Sequence, residues 1–115
     1  MTPHVRNFER HEFACACGCG FDTVDAELLY WLQRIRDHFD RAVHVTSGCR
    51  CPEYNRRVGG SAESQHLKGR AADIVVDGIP AHLVQELAED YKLPGIGKYD
   101  DFTHIDTRSG AHARW

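Results

Sequence analysis

From Thr23 to Phe39, apolar side chains recur at Val24, Leu28, Trp31, Leu32, Ile35 and Phe39, the three-to-four spacing of an amphipathic helix. Asp22 or Thr23 is placed to cap this helix, and Asp25 and Glu27 put negative charge where first-turn N–H groups lack partners. The pattern then changes. Val43-His44-Val45-Thr46 is mostly β-branched and ends at Ser-Gly-Cys, which predicts a strand. Pro52 opens a short helix through Asn55 and Arg57 that stops at Gly59-Gly60. Ala71-Ala72-Asp73-Ile74-Val75-Val76 predicts a second strand, closed by a turn at Asp77-Gly78. Pro80 starts another amphipathic helix with Leu83, Val84, Leu87 and Tyr91, and Pro94-Gly95 ends it. The runs GIGKY and FTHIDTR predict two extended pieces joined at Asp100-Asp101. This order indicates an α+β fold, a small antiparallel sheet covered by helices, whose strand order the pattern does not give.

Length and charge narrow the class. The 115 residues, 42% of them hydrophobic, suffice for one core and one domain over residues 1–115. Fourteen basic against seventeen acidic residues leave a net charge of -3, without the basic surplus of a nucleic-acid binder. No run reaches the about 18 apolar residues of a membrane helix, and the first twenty lack a secretory pattern. The expectation is a monomer made in the cytoplasm, without membrane insertion.

Eight histidines and five cysteines are many for this length. Asp73 puts a charge inside an apolar strand, where an unpaired carboxylate costs several kcal/mol and a partner or metal removes most of that cost. Alternation puts Phe102, His104 and Asp106 on one strand face and Thr103 and Ile105 on the other. With His66 in a Gly-flanked loop, His66, Asp73 and His104 form a two-histidine, one-carboxylate set suited to hydrolytic zinc with an open fourth position. Plainer readings compete: a satisfied sheet histidine at 104, Asp73 paired with Arg70, and Arg50 paired with Glu53. His4, His11, His38, His44, His82 and His112 have no compelling partner.

The run TSGCRCPEYNRRVGGSAESQHLKGRAADIVV, followed by GIGKYDDFTHIDTR, resembles the zinc peptidases of the D-alanyl-D-alanine carboxypeptidase and phage-endolysin type. These share a fold with the Hedgehog signalling domain. The family pattern SxHxxGxAxD is met at Ser64, His66, Gly69, Ala71 and Asp73, and a downstream HxD at His104 and Asp106. The resemblance implies zinc held by His66, Asp73 and His104, with Asp101 as general base and Arg50 steadying the carbonyl oxygen. Many relatives have Glu where Asp101 stands. An ideal strand would turn Asp101 away from His104, so its role predicts that the Asp100-Asp101 turn bends the chain back. Asp106 is expected to order a ring or an arginine behind the site, and Tyr99 to form a pocket wall or part of the core.

The implied activity is hydrolysis of peptidoglycan stem peptides by an endolysin-type endopeptidase, acting in the periplasm or cell wall after holin-type release. The alternatives are a D,D-carboxypeptidase or dipeptidase, and a non-catalytic zinc module. For Cys15, Cys17, Cys19, Cys49 and Cys51, a disulfide, a structural metal and free thiols all fit, the disulfide ranking ahead of a second zinc. Relatives often retain Cys51 with an N-terminal cysteine, which implies that the two segments meet.

Overall fold

A computed structural model describes residues 8–115; His4 lies outside them. Helix α1 spans Ala26–Phe39, α2 Pro52–Arg57 and α3 Ala81–Asp90. Strands β1 (Val43–Ser47), β2 (Ala71–Val76), β3 (Gly95–Lys98), β4 (Thr103–Asp106) and β5 (Ala113–Arg114) form one sheet in the order β1-β2-β4-β3-β5. Short 3-10 turns at Arg10–Phe13 and Gln65–Lys68 complete the elements. Among the described residues, no helix is long and apolar enough to cross a membrane.

The α+β expectation holds, with two corrections. The sheet is mixed, because β5 runs parallel to β3 while the other pairs are antiparallel. Helix α1 begins later than its apolar pattern: Asp25, rather than Asp22 or Thr23, is the cap and accepts from Leu28 N at 3.3 Å. Asp25 wins because it has further partners, with Thr107 Oγ1 donating to its carboxylate at 3.1 Å and its own N–H donating to Gly69 O at 2.8 Å. The helix start is thereby tied to the end of β4 and to the loop before β2.

Strand alternation divides the sheet into a packing face and a chemical face. Ile74, Val76, Ile96 and Ile105 join Leu28, Leu32 and Ile35 of α1 and Val84 and Leu87 of α3 in one buried core. Each such side chain contributes about 1.5–3 kcal/mol on burial. The residues that alternate with them, Asp73 on β2, His104 and Asp106 on β4, and Gly95 and Gly97 on β3, occupy the other face. Helix α3 also secures the β3–β4 hairpin: Gln85 Nε2 donates to Tyr99 O at 2.9 Å and Phe102 O at 3.3 Å.

Candidate metal centre

Antiparallel pairing of β2 with β4 sets Asp73 directly opposite His104. His66 arrives from the 3-10 turn before β2, whose N-cap Ser64 accepts from His66 N at 3.2 Å. The loop after β1 aims the ring: Gly48 O meets His66 Nδ1, and Arg50 N donates to His66 O at 2.9 Å. His66 Nε2 and His104 Nδ1 then face the same oxygen, Asp73 Oδ1, at 3.3 and 3.0 Å. All three side chains are buried, and one ligand atom from each lies within 4.8 Å of the others.

The nitrogens facing away from this point are also engaged. His104 Nε2 lies 2.7 Å from Asp106 Oδ2. Asp106 in turn accepts two bonds from the Arg108 guanidinium, at 2.9 and 2.7 Å, and one from the Arg108 backbone at 3.2 Å. Such outer partners fix a ring's tautomer and orientation at a metal centre. The two roles expected as alternatives for Asp106, holding a ring or holding an arginine, are both filled. Register explains the GIG sequence of β3: Gly95 lies opposite Asp106 and Gly97 opposite His104. A Cβ at Gly95 would fall 2.0 Å from Asp106 Oδ1, and one at Gly97 would fall 2.7 Å from Trp115 Nε1.

Burial pushes both aspartate carboxyls up, yet hydrogen bonds outweigh it. Donors from His104 and His66 hold Asp73 well below the usual carboxylate range, and Arg108 and His104 do the same for Asp106. Burial pushes the His104 imidazole down, but Asp106 and Asp73 carry it net upward. The donor set of two imidazoles and one carboxylate, with preset outer partners, fits zinc with a free coordination position.

These residues lie in a cavity of about 840 Å³ that Arg50, Glu63, Tyr99 and Trp115 also line. Arg50 is braced by Ser47 Oγ and Asn55 Oδ1, each 3.3 Å away, and its Nη2 lies 3.6 Å from Asp73 Oδ2. The plainer pairings give way: Glu53 lies 3.9 Å from Arg57, and Arg70 bonds Thr107 O and Ser109 Oγ. Tyr99 is exposed at the cavity rather than part of the core, and Trp115 Nε1 donates to its hydroxyl at 2.9 Å.

Asp101 belongs to the turn between β3 and β4. It is exposed at the tip of the β3–β4 hairpin and is not among the cavity-lining residues. The tip is closed by Tyr99 N donating to Phe102 O at 3.3 Å. Tyr99 also stacks on Phe102 at 4.2 Å, and Gln85 clamps both carbonyls.

Trp115, Glu63 and the Gly48 carbonyl carried no sequence signal for the site. Trp115 reaches it because β5 pairs with β3, with Trp115 N donating to Ile96 O at 3.1 Å and Lys98 N to Trp115 O at 2.7 Å. Its indole lies 4.8 Å from the His104 ring, and the Arg108 guanidinium sits 5.2 Å over it.

Comparison with known proteins agrees with this geometry. The chain is 30% identical over 79 residues to the peptidoglycan L,D-endopeptidase MepK of Escherichia coli K12, covering 63% of this chain and 43% of that protein. The probable peptidoglycan L,D-endopeptidase MepK of Haemophilus influenzae is 37% identical over 51 residues, 43% of this chain and 27% of that protein. The chain thus spans less than half the length of these curated relatives. The family model for peptidase M15 matches residues 6–106, which include the three candidate ligands, and the chain belongs to that family.

Proposed function

We propose that this protein is a zinc-dependent endopeptidase that hydrolyses stem-peptide bonds in bacterial peptidoglycan and acts in the cell wall. The observation that carries the reading is the convergence of His66 Nε2, His104 Nδ1 and Asp73 Oδ1 on one point beside an open cavity. Zinc held there supplies a Lewis acid and a water whose pKa is lowered to about 7. The names of the similar proteins support peptidoglycan as substrate and an endopeptidase rather than a carboxypeptidase. Arg108, bound through two nitrogens to Asp106, is committed to the protein rather than to a free substrate carboxylate.

Each residue then has a defined task. Gly48 O and Asp106 keep the two imidazoles aimed at Asp73. Arg50, braced by Ser47 and Asn55, offers guanidinium N–H groups to the carbonyl oxygen as it gains charge. Tyr99 and Trp115 form a wall for the peptide. Asp101 is the proposed base, accepting the proton of the attacking water and returning one to the leaving amine. Glu63, a carboxylate at the cavity itself, is the competing candidate.

Zinc-loaded protein incubated with defined muropeptides, with and without chelator, tests the reading by mass spectrometry of new termini. Paired larger fragments, lost with chelator, are expected. Release of alanine alone would make the protein a carboxypeptidase, and intact muropeptides with zinc bound would exclude the enzyme. Asp101→Ala is expected to keep its zinc and lose about 10²–10⁴-fold in rate. The same loss in Glu63→Gln, with Asp101→Ala fully active, would transfer the base role to Glu63.

A further inference from the structure

The cysteines fall into two groups that the cavity chemistry leaves unused. Cys49 is buried alone, its Sγ donating to Phe21 O at 2.9 Å. Cys15, Cys17, Cys19 and Cys51 instead bring four Sγ atoms within 4.8 Å of one another. Cys15 Sγ lies 3.5 Å from Cys17 Sγ and 3.8 Å from Cys51 Sγ, and Cys17 and Cys51 are 3.7 Å apart. All four are free of disulfide bonds.

Those spacings match a coordination shell. Four sulfurs around zinc with bonds of about 2.3 Å sit about 3.8 Å apart at the vertices of a tetrahedron. A disulfide would draw one pair to about 2.05 Å and leave two crowded thiols without a role. Near-equal spacing singles out no such pair. Backbone N–H groups point at the sulfurs as well, Cys51 N at Cys15 Sγ (3.5 Å) and Tyr54 N at Cys51 Sγ (3.4 Å). The chain between the first three cysteines turns through Gly18 at φ 81°, with Gly18 N donating to Cys15 O at 3.1 Å.

We propose that Cys15, Cys17, Cys19 and Cys51 form a second zinc site, closed by four protein thiolates and structural in role. Each thiol releases its proton to solvent as the metal binds. The site joins two segments 32 residues apart, Cys19 to Cys51, at the place where the cavity is supported. Cys51 caps α2 and adjoins Arg50, while Cys49 N donates to Phe13 O at 2.9 Å. Gly48, whose carbonyl aims His66, packs so tightly on the same segment that a Cβ there would fall 2.6 Å from Phe13 Cα. The zinc clamps the N-terminal segment onto the turn that carries both Gly48 and Arg50.

A His66→Ala/His104→Ala double variant, purified under reducing conditions and loaded with cobalt(II), isolates this site from the cavity. It is expected to bind one cobalt per chain and to show strong sulfur-to-cobalt charge-transfer absorption. Wild type is expected to bind two, and Cys19→Ser, altered at an exposed position, to lose the sulfur band. Unfolding wild type in chelator is expected to free all five thiols. If the folded double variant binds no cobalt, or unfolded wild type titrates fewer than five thiols, the site is wrong. Should the double variant fail to fold, the sulfur band in wild type and its loss in Cys19→Ser decide alone; absence of the band from wild type overturns the proposal. None of these readouts depends on peptidase activity, so either proposal can fail without the other.

Discussion

Asp106 shows how a residue that need not touch the metal can control a metal site. It is almost completely buried, yet its charge is fully used by His104 on one side and Arg108 on the other. Asp106→Asn keeps the shape and removes the charge that fixes the His104 ring. It should weaken zinc binding at the cavity by about 10–100-fold, read by competition with a chromophoric chelator. Unchanged affinity would mean that Asp106 serves Arg108 alone. The HxD spacing revealed this pair because positions two apart on a strand share a face. Trp115 was not legible, since the strand that brings it forward is only the two residues Ala113–Arg114 and has no periodicity to read.

Helix α1 was legible as an element and misjudged at its start. Apolar spacing extends back to Val24, but the cap is decided by which carboxylate finds partners outside the helix, and that residue is Asp25. Asp25→Ala is expected to cost about 1–2 kcal/mol of stability, and Asp25→Asn only a fraction of that. Denaturant unfolding checks the pair, and equal losses would show that cap chemistry is not what Asp25 contributes. The β3–β4 hairpin teaches the complementary lesson. Its strands and turn are readable, whereas the anchor of the turn is Gln85, reaching over from α3. No local pattern encodes that contact, because Gln85 and Phe102 lie on different elements.

At the scale of the whole molecule, buried charge makes the metal-free protein sensitive to pH on both sides. Asp73 and Asp106 have lowered folded-state pKa values, so their contribution is present above about pH 4 and is lost as pH falls below it. The folded-state pKa of His104 is raised, so its contribution is complete below about pH 6.5 and is lost as pH rises through the folded value. The melting temperature of chelated protein should therefore peak between about pH 4 and 6.5. A steady rise from pH 4 to 8 would contradict the assignment of His104. By itself the sequence determined the helices, the main strands, the alternation that separates core from chemistry, and the candidate ligands His66, Asp73 and His104, because spacing and side-chain type are local properties. The strand order, the parallel edge that delivers Trp115 and the division of the cysteines into four and one came from the packed chain. Those depend on which distant segments meet, as Cys51 meets Cys15 and Gln85 meets Phe102, and such meetings follow from packing the whole chain around one core.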